Sequence, residues 1–365
     1  MSNRDAKSLL LSALLTLGCG GNAVDVGHST NRGWADAPAK AASATTPQTI
    51  YESEDAIFGF ALDDDTLYAL ITHDNTFELV SCPLERCRSQ RTVLFSGPKF
   101  GHEGFEPAPL VLAAGSLYWL ITNGEPWSIA TCPTTGCAQP QLLATRWHTG
   151  LAGDADGAYW IDADQSLMRM APNAEAPERV RNLASDLVAP QLLSAHGEYL
   201  YYNYIEYSAR LSSIRRVRKD GTSPSELVVT DDAISGLSVA ADGLYYPSQL
   251  LAGRIVKCPV DDCAAGGTTI AANQRWPKGI LVDGNEAFWL NNPRFSGQTP
   301  HAALLSCRLP ECASVNERVA DFPAVGGTYV VDATGLGPMF AVNRESIVWL
   351  EGFHGFGSRF RRVSR

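Results

Sequence analysis

The sequence predicts an all-β fold, a ring of small four-stranded antiparallel sheets, and three observations predict it. An aromatic motif recurs along the chain: "TLYAL", "SLYWL", "GAYWI", "YLYYN", "GLYYP", "EAFWL" and "SIVWL". Short alternating or apolar runs lie just upstream, among them "GFAL", "PLVLA", "QLLSA", "GLSVA", "GILVD" and "PMFAV". Finally, a Cys-x4-Cys pair returns as "SCPLERC", "TCPTTGC", "KCPVDDC" and "SCRLPEC". The motif anchors, Tyr68, Tyr118, Tyr159, Tyr201, Tyr245, Phe288 and Val348, stand 50, 41, 42, 44, 43 and 60 residues apart. A period of this length made of several short strands is the signature of propeller blades.

Each repeat divides into four strands, A to D. The upstream run is A and the aromatic motif is B, with Asp156-Gly157, Asp242-Gly243 or Asp283-Gly284 between them. Asp-Gly between apolar runs signals a tight hairpin. Strand C follows as "FELVSC", "WSIATC", "SLMRMA", "SSIRRV", "GRIVKC", "ALLSC" and "SRFRRV". Strand D reads "RTVLFS", "PQLLAT", "RVRNLA", "SELVVT", "GTTIAA" and "NERVAD". The seventh D strand is missing at the C-terminus, and "QTIYES" (48–53) resembles "RTVLFS". Pairing that N-terminal strand with the last blade closes the ring and removes its open edges. The prediction is a seven-bladed β-propeller over 48–365, with six blades as the alternative that the final 60-residue gap leaves open.

"YWID" at 159–162 and its relatives resemble the YWTD and NHL families of propellers. The resemblance implies the fold and a binding role, and it carries over no catalytic residue. YWTD domains usually have six blades, one fewer than the anchors counted here.

Apart from Cys19, all eight cysteines lie in the four pairs: Cys82 and Cys87, Cys132 and Cys137, Cys258 and Cys263, Cys307 and Cys312. Each pair straddles the C-to-D turn, where flanking residues face each other at a separation that suits a disulfide. Blade three has Ala171 and Ala176 at the corresponding places, and blade four has Val217 and Thr222. Cysteines are thus present or absent as pairs, as partners within one hairpin would be. Zinc needs two such hairpins to converge on one ion, and blades hold their outer turns apart. Redox motifs favour a two-residue spacer at a helix N-terminus.

The N-terminus places Arg4 and Lys7 before an apolar stretch, Leu9 to Leu17, too short to span a bilayer. It reads as an export signal over residues 1–18. Gly18-Cys19 resembles a bacterial lipobox, although Thr16 and Leu17 stand where the usual box has Leu and a small residue. The resemblance implies lipidation of Cys19. Residues 19–47 are rich in Gly, Ala, Ser, Thr and Asn with scattered charges, the composition of a tether. The expected location is the outer membrane or periplasm as a lipoprotein, with the extracellular space as the alternative. A formal charge of −10 without a basic run argues against nucleic acid, and membrane contact would be through the lipid alone.

In this architecture the D-to-A and B-to-C connections share one face, and the cysteine turns lie on the other. The long connections gather His102, Trp147, His148, Arg275, Trp276, Lys278, Phe295, His301, Phe353 and His354 on the first face. Aromatic groups beside cations suit a protein, peptide or carbohydrate ligand. No GxSxG, HExxH or P-loop motif occurs. "GDADG" (153–157) lacks the third Asp and terminal Glu of a calcium loop. Asp63, Asp64 and Asp65 read as solvated turn carboxylates, and the "RRV" runs at 215–217 and 361–363 as strand C residues with alternate faces exposed. The leading expectation is a monomeric, non-enzymatic binding module of the cell envelope with no cofactor and no metal. The alternative is a propeller lyase or hydrolase, with histidines or a metal at the channel mouth.

Overall fold

The computed structural model describes residues 46–73, 76–98, 110–121, 128–143, 147–183, 192–206, 211–249, 253–261, 263, 266–291, 301–323, 340–351 and 358–365. All of them belong to the second of two compact units, Ala39–Arg365. They form seven antiparallel sheets of four strands each. In blade one, strands A to D are Ala56–Leu62, Thr66–Thr72, Thr76–Pro83 and Thr92–Pro98. Blade two has Leu110–Ala113, Ser116–Ile121, Ser128–Pro133 and Gln141–Leu143. Blade three has Trp147–Asp154, Gly157–Asp162, Ser166–Met170 and Glu178–Asn182. Blade four has Leu193–His196, Tyr199–Glu206, Leu211–Arg218 and Glu226–Asp232. Blade five has Ser238–Ala240, Gly243–Ser248, Gly253–Cys258 and Thr268–Gln274. Blade six has Pro277–Asp283, Glu286–Asn291, His301–Arg308 and Val315–Pro323. Blade seven has Phe340–Val342, Ser346–Glu351 and Ser358–Ser364, and its D strand is Gln48–Ser53 from the N-terminal side. Gln48 pairs with Arg362 and Ser53 with Ser358, so the ring is sealed by the predicted segment and the count is seven.

The aromatic motif explains how the ring holds together. Strand B is sandwiched between two neighbouring sheets, so its side chains are buried on both faces: "SLYWLI" is buried from Leu117 to Ile121. The anchor faces the next blade, and the residue after it faces the previous one. Tyr68 of blade one packs with Trp119 of blade two, Tyr118 with Trp160, Tyr159 with Tyr202 and Tyr201 with Tyr246. Tyr245 continues with Trp289 and Phe288 with Trp349. Val348 and Leu350 of blade seven then pack on Leu67, Ala69 and Ile71 of blade one. The core is therefore seven separate inter-blade clusters. Burying one such aromatic is worth about 2 kcal/mol relative to exposure, and each interface has at least one large side chain to bury.

The A-to-B turns differ from the expectation in register. Asp154 pairs with Gly157 and Ala240 with Gly243, so the turn residues are Ala155-Asp156 and Ala241-Asp242, and glycine begins strand B. Glycine is needed there for space: a Cβ on Gly157, at φ 135°, would stand 2.1 Å from the Met170 carbonyl oxygen.

All four cysteine pairs are bonded within their own turns, with Cα separations of 4.8, 5.7, 5.2 and 5.0 Å. The bond does not reach strand D: Cys87, Cys137, Cys263 and Cys312 all precede it, so the turn itself is cinched. The first cysteine is a core position. It pairs with the residue before the anchor: Leu67 with Cys82, Leu117 with Cys132, Leu244 with Cys258 and Ala287 with Cys307. In blade three the same register places Met170 opposite Ala158, so Met170 and not Ala171 takes the cysteine's place. Val217 holds that place in blade four, as expected, and Val363 in blade seven.

Each C-to-D turn docks on the preceding blade. The Cys137 amide donates to the Leu94 carbonyl of blade one at 3.1 Å. Gln141 of blade two donates to the Glu175 carbonyl of blade three at 2.8 Å. Lys219 of blade four, almost fully buried, is ion-paired with Asp154 and, at 3.0 Å, with Asp156 of blade three. Leu309 and Cys312 of blade six pack with Ala271 of blade five. In blade seven, where the chain ends, Arg365 takes the turn's role on Asp283 and Glu286 of blade six. Among the described residues, no helix is long and apolar enough to cross a membrane.

Candidate functional site

The best-described part of the long-connection face lies between blades five and six. Strand D of blade five ends at Gln274 and strand A of blade six begins at Pro277, so Arg275-Trp276 is a two-residue connection. Trp276 has φ 47°, a left-handed conformation that bulky residues avoid, and is 40% exposed. The residues on either side of it are both held by hydrogen bonds. Gln274, buried beneath, accepts hydrogen bonds from Trp289 Nε1 at 3.0 Å and Asn291 Nδ2 at 3.1 Å. On the other side Ser235 Oγ and Gln249 Nε2 donate to the Pro277 carbonyl at 2.7 and 3.3 Å. Strain of this kind costs about 1–3 kcal/mol and concentrates at functional positions. Arg275, the residue before it, is exposed, and Lys278 is half-buried in strand A next to a bulge between Lys278 and Ile280.

The other predicted residues fall at strand ends or outside the described structure. Trp147 and His148 belong to strand A of blade three rather than to a loop, with His148 at a bulge between Trp147 and Thr149. His301 opens strand C of blade six, paired with Pro323. Cys19, His102, Phe295, Phe353 and His354 lie outside the described residues, as do the side chains of Trp147, His148 and His301. The convergence of His102, His148, His301 and His354 that an enzyme would require lies outside the described residues. Among the described residues, no group of three or more His, Cys, Asp or Glu is placed to hold a metal ion.

Three polar constellations on the same face were not singled out in the sequence. His73, just after strand B of blade one, sits between carboxylates: Nδ1 is 2.7 Å from Asp55 and Nε2 is 3.4 Å from Glu78. Arg91 extends the row to Glu78 at 3.1 Å and the Tyr51 hydroxyl at 3.0 Å. In blade three, Asp162 Oδ1 accepts from the Asp164 and Ser166 amides at 3.2 and 3.1 Å, and Arg179 pairs with Asp164 at 2.9 Å. Burial, then the neighbouring Asp164 carboxyl, pushes Asp162 up to about 6. Its hydrogen bonds, to Asp162 first and then to Ser166, hold Asp164 down at about 2. Between blades four and five, Asp231 accepts from the Tyr246 hydroxyl at 3.0 Å and from Arg254 at 2.9 Å on both oxygens. Burial and then Asp231 raise the Tyr246 phenol far above its ordinary value, so it stays a donor. The partners of each constellation come from different turns and strands, so the short turns "THDN" and "DADQS" carry no signal of it in the sequence.

No family model matches the chain, and no curated protein matches it by sequence. Solved structures match its fold. A chain from a structural and mechanistic study of two prolyl endopeptidases aligns at TM-score 0.55 and 11% identity over 83% of this chain. This chain spans only 46% of that one's length. YCF48 from Cyanidioschyzon merolae aligns at TM-score 0.51 and 8% identity, over 87% of this chain and 98% of its own. The computationally designed Ika8 protein aligns at TM-score 0.51 and 10% identity, over 86% and 98%. At such identities the likeness is one of fold alone, and that fold is the β-propeller.

Proposed function

We propose that this protein is an exported, lipid-anchored propeller that binds a protein, peptide or carbohydrate ligand on its long-connection face. The observation that carries the reading is Trp276, a bulky side chain held exposed in a left-handed conformation beside the exposed Arg275. An indole and a guanidinium on consecutive exposed residues offer a flat apolar surface and a charge within one connection. Four disulfides point to an oxidising compartment, which agrees with the export signal expected over 1–18 and the tether over 19–47.

The test is retention of envelope components, peptides and glycans by the immobilised protein, compared with Trp276→Gly and Arg275→Ala. Trp276→Gly should lose the retained ligand while its thermal midpoint stays level or rises, because glycine relieves the strain. Retention unchanged in both variants would overturn the assignment of this face. Anchoring is tested separately, by incorporation of labelled fatty acid that Cys19→Ser should abolish.

A further inference from the structure

Two sequence features meet in space: the cysteine turns and the "RRV" runs. Arg362 of blade seven and Arg216 of blade four occupy the same strand C position, opposite Val348 and opposite Tyr201. Neither side chain points freely to solvent; they are 17% and 15% exposed. Arg362 crosses to blade one and forms a two-pronged pair with Glu85, inside the Cys82–Cys87 turn, with Nη2 at 3.2 Å from Oε2. Arg216 crosses to blade five and meets Asp261, inside the Cys258–Cys263 turn, at 2.9 Å and the Val260 carbonyl at 3.2 Å. The same position is Ser81 in blade one, and the turn that follows it, "TCPTTGC", has no acid. Base and acid are thus both absent at that boundary, whereas between blades five and six the position is Lys257, which pairs with Asp242 of its own blade.

We propose that each Arg-and-cinched-turn unit is an inter-blade latch, and that the Arg362–Glu85 latch fastens the seam where the ring closes. Glu85 and Asp261 are highly exposed, so a free loop would lose side-chain and backbone freedom to make the pair and gain little. The disulfide removes most of that freedom beforehand, so the carboxylate is held where the arginine finds it. Around it, Cys82, Leu84 and Cys87 pack against Ile50, Val348 and Phe360 of blade seven, which makes the turn a plug as well as a charge.

The experiment is hydrogen exchange by mass spectrometry on the full chain, comparing wild type with Glu85→Gln, Asp261→Asn and the double variant Cys82→Ala/Cys87→Ala. Glu85→Gln should raise exchange in Gln48–Ser53 and Ser358–Ser364 by about two- to fivefold, the range of one well-oriented pair. Blade three should be unmoved. Asp261→Asn should do the same in Glu226–Asp232 and leave the seam alone. The cysteine variant should loosen the seam at least as much as Glu85→Gln, and adding Glu85→Gln to it should change little further. Faster exchange confined to 76–98, with the seam as protected as in wild type, would overturn the latch. Should the cysteine variant not fold, the two single carboxylate variants decide the matter by the same criterion.

Discussion

Asp162 is an acid whose surroundings set its charge. Its folded value of about 6 lies above the ordinary 3.8, so its protonated form contributes stability that is present below about pH 4 and lost as pH rises through 6. Asp164, held at about 2, contributes in the opposite sense, with stability present above about pH 4 and lost as pH falls through 2. Asp162→Asn keeps an acceptor for the Ser166 amide, so it should flatten the decline in denaturation midpoint between pH 4 and pH 6.5. A carboxyl resonance titrating near pH 6 should disappear with it. Neither this pair nor His73 was legible in the sequence, because proximity between a turn and the neighbouring strand leaves no periodic trace. Trp276 was legible as an exposed aromatic; its left-handed backbone was not, since a two-residue connection between Gln274 and Pro277 is a matter of register that composition does not report.

At the scale of the strand and the turn, one buried position decides how a blade's outer hairpin is finished. Cys82, Cys132, Cys258 and Cys307 occupy it in four blades, and Met170, Val217 and Val363 in the other three, all almost fully buried. Sulfur and hydrocarbon are interchangeable there as volume, and the bond adds a constraint. Cys132→Val/Cys137→Ala should therefore fold and lose about 2 kcal/mol, the chain-entropy value for so short a loop, read from urea denaturation. The turn of blade four uses a charge in place of the bond. Lys219→Met should cost about 2 kcal/mol, because it strands Asp154 and Asp156 together on one interface. The cysteine spacing was readable from the sequence and its pairing followed, but two details were not. The bond closes the turn before strand D begins, and in blade three the cysteine's place falls on Met170, one residue before Ala171. Both depend on register, which hydrogen bonding sets and composition does not report.

For the whole molecule, the aromatic motif marked seven blades, and the structure removes the alternative of six that the 60-residue gap left open. Strand B is buried on both faces, so its signal survives even where strands A and D are short. Residues 48–53 were recognisable as the missing strand by likeness to "RTVLFS" and by the arithmetic of seven against six. Their removal should leave the Ser358–Ser364 edge unpaired and expose Phe360, which packs near Phe60 at 5.2 Å. A chain beginning after Ser53 should elute as larger species in gel filtration, and the full chain should elute as a monomer. The seal has a mechanical consequence too. Its two strands run antiparallel, with Gln48 opposite Arg362, so the first residue of one lies beside the end of the other. A pull separating the chain's two ends loads the ladder one rung at a time, as a zipper, and never in shear. The ring should resist heat far better than it resists tension at its own ends, and the grip of Arg361 on the Pro47 carbonyl and Thr49 hydroxyl, each at 3.1 Å, is the first tooth.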